Sequence, residues 1–160
     1  MTNKIQSQSA SKCMVFVSVW LYVRIGAILL VGVVGSIVPI RLFAAIQINW
    51  YMLLIIFFVC VFILPVLVSL HIADPRSEKA WLRPSWLVNP FSISEPIQFI
   101  HFAAYLSIMQ GFIILVRIAL NSLPFHLGVL FPITFGLGLL LGIKITLIIF
   151  RSRFTPTAKG

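Results

Sequence analysis

The chain has 160 residues, of which 61% are hydrophobic and only 9% charged, and its mean hydropathy is +1.11. These values exclude an ordinary water-soluble globule and point to a single lipid-embedded domain. The formal charge of +9 does not argue for a nucleic-acid partner, because the basic residues flank apolar runs instead of lining one polar face.

Taken in chain order, an N-terminal tail (1–13) carrying Lys4 and Lys12 leads into a first apolar span at about 20–40, which contains Arg24 and is bounded by Arg41. No small-residue cleavage site follows it, so it reads as a retained helix and not as a secretory signal. The second span, about 50–70, has no charged residue between Trp50 and Leu70 and at 1.5 Å per residue covers about 31 Å of hydrocarbon. The third and fourth run over about 99–120 and 128–150, and a basic tail (151–160) closes the chain. These runs are continuously apolar, without the polar alternation of a transmembrane barrel. The predicted fold is therefore an all-α integral membrane protein, with four transmembrane helices as two hairpins joined by an interfacial Trp/Pro-rich cytoplasmic loop. Pro39, Pro65 and Pro132 are tolerated in or beside such helices with a kink. Gly138 with Gly142, and Gly32 with Ser36, predict close helix approach.

Orientation follows from the Lys and Arg residues. Lys4, Lys12, Arg76, Lys79, Arg83, Arg151, Arg153 and Lys159 fall on one side of the four-span arrangement, whereas only Arg41 and Arg117 fall on the other. This predicts a multi-pass protein of the cell (inner or plasma) membrane with both termini and the middle loop cytoplasmic. That loop, about 72–97, is broken into short turns by Arg83-Pro84, Asn89-Pro90 and Glu95-Pro96, and Ser94-Glu95-Pro96 marks the start of the next helix. Trp20, Trp50, Trp81 and Trp86 are the expected interfacial anchors.

Candidate functional residues are few. Arg24 and Lys144 are the only basic side chains well inside their spans, each costing about 2.5–3.5 kcal/mol at a helix centre unless its stem reaches the interface. No acidic residue lies in any span, so a partner must be Asp74, Glu78 or Glu95 folded back from the loop, or an anionic lipid headgroup. Arg24, Lys144 and His101 form the candidate headgroup site. His71 and His101, both near the cytoplasmic face, are the one pair able to hold a haem or metal, but with no carboxylate or thiolate beside them the reading is no cofactor and no metal; His126 lies on the other side. Gln110 suits an interhelical hydrogen bond. Cys13 and Cys60 form no ligand spacing. With no nucleophile–base pair and no phosphate-binding loop, no catalytic residue is assigned. The expected role is a non-catalytic accessory, assembly or lipid-interacting subunit of a membrane complex. Its partners would be the bilayer and its anionic lipids, with a membrane-protein partner or further copies of the chain. The alternatives are a small transporter or channel for an anionic solute, or a membrane enzyme acting on a lipid or quinone.

Overall fold

The computed structural model describes residues 19–35, 48–69, 85–91 and 96–154; the two tails, residues 36–47 with Pro39 and Arg41, residues 70–84 with His71, Asp74, Glu78 and Trp81, and residues 92–95 with Ser94 and Glu95 lie outside them. The described residues contain helices and turns and no strand. In chain order they are α1 (Val19–Gly35), α2 (Trp50–Ser69), α3 (Pro96–Leu120), a 3-10 turn (Leu127–Leu130) and α4 (Phe131–Phe154). Three stretches, Trp50–Leu67, Pro96–Leu120 and Leu127–Phe150, are long and apolar enough to cross a membrane; α1 is a further apolar helix. The chain is a membrane protein on this evidence, since a helix such as α2, with Leu54, Ile55, Phe58, Val59 and Phe62 all exposed, has no stable place in water.

Local chemistry accounts for the helix ends. Asn49 caps α2, its Oδ1 accepting the Met52 N–H at 2.9 Å. α3 begins at Pro96, where the missing N–H costs nothing, so it starts about a turn earlier than the apolar run from Phe99 suggests. It ends in a Schellman-type cap: the Leu123 N–H reaches the Ile118 carbonyl (3.1 Å) and Ser122 adopts φ 49°, a conformation that glycine adopts more readily. The 3-10 turn then feeds straight into α4.

α4 is the central helix and packs against both α2 and α3. Its glycines make the approach possible. A Cβ on Gly138 would lie 2.8 Å from the Cβ of Cys60 and 2.9 Å from the Phe57 carbonyl oxygen, and one on Gly142 would lie 2.8 Å from the Val61 oxygen. Val61 is the residue whose carbonyl Pro65 deprives of its helical partner, so the backbone of Gly142 sits against the one carbonyl of α2 that the proline frees. On the other side, a Cβ on Gly136 would lie 2.5 Å from the Ala104 oxygen of α3. Buried clusters follow the same seams, Leu64 with Ile97 and Ile143, and Cys60 with Ala104 and Leu139. The expected Gly138/Gly142 pair thus packs within the bundle; Ser36, the expected mate of Gly32, lies outside the described residues.

The pairings also give directions. α2 meets α4 at Cys60–Gly138 and again at Val61–Gly142 and Leu64–Ile143, so the two run parallel; α3 meets α4 at Gly111–Ile133, Ala104–Gly136 and Ile97–Ile143, so these are antiparallel. α1 lies along α3 in the same direction, with Arg24 at Gln98 and Phe102 and with Gly32 and Gly35 against Ile113 and Gln110. Arg24, the start of α3 and the latter half of α4 therefore share one end of the bundle, and the segment Ser85–Phe91 closes over that end.

Candidate functional site

Arg24, Ile28, Val31 and Gly35 fall on one face of α1 by their spacing, and that face turns inward. Arg24 is completely buried (0% exposed). One terminal nitrogen, Nη2, donates to the Val88 carbonyl at 2.7 Å and approaches the Gln98 Oε1 at 3.5 Å. The same Gln98 oxygen accepts the Ser85 backbone N–H at 2.8 Å, so α1, the Ser85–Phe91 segment and α3 meet at one carboxamide. The stem does not carry the guanidinium out to water; the segment folds over it instead.

Nε and Nη1 of Arg24 are buried with no hydrogen-bond partner among the described residues. An unmade donor in such a place costs about 1–3 kcal/mol. What faces the guanidinium is aromatic: Cζ lies 5.3 Å from the Trp86 ring centroid and 5.8 Å from that of Phe102. Desolvated cation–π contacts of this kind are worth about 2 kcal/mol and offset much of that loss. The segment is further shaped by its own side chains, Ser85 Oγ accepting the Leu87 N–H (3.2 Å) and Asn89 Oδ1 the Phe91 N–H (2.9 Å). Phe91 packs edge-on against Phe102 at 5.7 Å.

Trp86, expected as an interfacial anchor, is half-buried and packs on Arg24 and on two residues of α3 one turn apart, Tyr105 (4.9 Å between centroids) and His101 (6.0 Å). His101 and Tyr105 pack edge-to-face at 4.9 Å, and the His101 Nδ1 is buried without a partner among the described residues. The outer side of this pair opens onto a cavity of about 510 Å³ between α3 and α4, lined also by Lys144 and by Leu137, Leu140, Leu141, Ile143 and Leu147. Lys144 is exposed there. The three expected headgroup residues are thus brought to one end of the bundle but divided: His101 and Lys144 line the open groove, whereas Arg24 does not and is engaged by the protein itself.

Of the other expected residues, Trp20 is half-buried at the start of α1, Trp50 is exposed at the start of α2, and His126 is exposed at the turn before α4. Gln110 lies against Gly35 and lines a second cavity, of about 290 Å³, with Ser107 and Phe135. Cys60 is a buried free thiol at the α2–α4 seam. No three His, Cys, Asp or Glu side chains cluster among the described residues, and the His71 half of the histidine pair lies outside them.

Sequence reasoning missed Gln98, Phe102 and Tyr105. Tyr105 was findable, being four residues after His101 on the same helix face. The carbonyl of Val88 carries no signal in sequence at all. No protein-family model, curated protein or solved structure shows similarity to this chain, so the functional reading rests on the site alone.

Proposed function

We propose that the chain is a four-span protein of the cell (inner or plasma) membrane, with both termini and the Ser85–Phe91 segment on the cytoplasmic side. In this reading it acts without catalysis, as a lipid-interacting accessory or assembly subunit of a membrane complex. The observation that carries it is the complete burial of Arg24 under that segment. A cation serving an anion path or a substrate needs a route to water or to the membrane. This one spends its hydrogen bonds and ring contacts on Val88, Gln98, Trp86 and Phe102, fastening the segment to the bundle. A segment so fastened suits a fixed surface better than a moving lid. The shared direction of α1 with α3 and of α2 with α4 agrees with four alternating crossings, and the excess of Lys and Arg supports the cytoplasmic assignment of the end where Arg24 lies.

The test is purification of the tagged full-length chain from its native membrane in mild detergent, with single-cysteine labelling for sidedness. A second membrane protein in fixed stoichiometry, weakened by Trp86→Ala, is the expected result. Elution as a lone monomer would overturn the subunit reading, and labelling of Ser85→Cys from outside the cell would overturn the topology.

A further inference from the structure

The groove between α3 and α4 has a charged end and an apolar end. Lys144 and His101 stand toward the end closed by Ser85–Phe91, while Leu137 lies two helical turns deeper along α4, about 10 Å away at 1.5 Å per residue. Leu137 and Leu141 are 48% and 41% exposed, so no described helix seals the trough along its side. Among the described residues Lys144 has no counter-ion; the three acidic residues of the chain, Asp74, Glu78 and Glu95, lie outside them. One wall is built of packed rings, with His101 and Tyr105 lying on one another and on Trp86.

A cation at the rim of a bilayer-facing trough, with leucines running from it toward the membrane interior, complements an amphiphile with an anionic head and a long hydrocarbon tail. A soluble anion would leave the leucines unused, and a neutral lipid would bring no anion to Lys144, which has none among the described residues. We infer that this groove binds an anionic phospholipid of the leaflet nearest the Ser85–Phe91 end, its phosphate at Lys144 beside His101 and one acyl chain along Leu137, Leu140 and Leu141. Arg24 takes no part in it, being held by Val88 and Gln98. The inference rests on the membrane reading of the helices but not on the subunit reading.

The experiment is native mass spectrometry of the full-length protein in detergent, titrated with phosphatidylglycerol or with phosphatidylcholine of the same acyl chains. Wild type should retain one phosphatidylglycerol in preference to phosphatidylcholine. Lys144→Gln should bind it about tenfold more weakly, the loss of one charge-assisted hydrogen bond. Leu141→Trp, at an exposed position and filling the trough, should weaken both lipids, whereas Arg117→Gln, toward the other end, should change nothing. Equal binding of the two lipids by wild type, unchanged affinity in Lys144→Gln, or displacement of the lipid by millimolar inorganic phosphate would each overturn the site. Carbonate extraction of the same variants reads the membrane assignment separately: release of wild type would sink that assignment, while retention without lipid preference would sink only the groove.

Discussion

Arg24 and Lys144 present the same problem, a full positive charge within an apolar helix, and the molecule treats them in opposite ways. Around Arg24 it builds an interior, with a carbonyl, a carboxamide and two ring faces converging on one guanidinium under a folded-over segment. Around Lys144 no described residue carries an opposite charge, and the side chain lines an open trough with His101 and Tyr105 on its far wall. The difference follows from side-chain chemistry. A guanidinium is planar and weakly hydrated, so it stacks on rings while bonding in its plane; an ammonium is a compact, strongly hydrated charge best left at an accessible rim. One site therefore reads as structural and the other as a place for something from outside.

The sharpest way to break this comparison is Arg24→Ala. It removes a charge-assisted hydrogen bond, about 1.5–3 kcal/mol, and cation–π contacts worth about 2 kcal/mol, and it leaves the Val88 carbonyl without its donor. A loss of about 4 kcal/mol in equilibrium unfolding in mixed micelles is expected, with proteolytic cleavage appearing within Ser85–Phe91; an unchanged cleavage pattern would show that the segment is held by other means. Trp86→Ala should cost less, about 2 kcal/mol for a half-buried indole. The double variant with Arg24→Ala should then be less destabilised than the sum of the two, by about 1 kcal/mol, because both remove one contact. Arg24→Lys keeps the charge but loses the planar fork and should cost about 1–2 kcal/mol by the same unfolding measurement; a cost near zero would mean that geometry is unimportant at the site. The smallest effect belongs to Lys144→Gln, which should leave the unfolding midpoint where it is, since the side chain is exposed and makes no described contact that stabilises the fold. A large loss there would erase the contrast between the two cations.

Much of the architecture was legible beforehand because it depends on local chemistry. Long apolar runs mark α2, α3 and α4, Pro96 marks the start of α3, and Gly138 and Gly142 mark a close helix seam. Arg24, Lys144 and His101 stood out for the same reason, as polar side chains out of place in their surroundings. Their division into two sites was not legible. Val88 is one apolar residue among dozens, and what it contributes is a backbone carbonyl that every residue possesses, so its selection as an acceptor leaves no mark in sequence. Trp86 likewise reads as a membrane anchor until the fold supplies Arg24 beneath it, because an indole suits a headgroup layer and a guanidinium equally well.

What the sequence by itself determined is the solvent this chain needs and the helices it forms, since apolar content and the intrahelical bonding of every backbone group are properties of each segment alone. The tertiary structure decided which of two equal charges is enclosed and which is left at the rim. That choice depends on residues 64 and 74 positions away from Arg24 arriving at the same point in space, and only the packing of α1 against α3 under the Ser85–Phe91 segment brings them there.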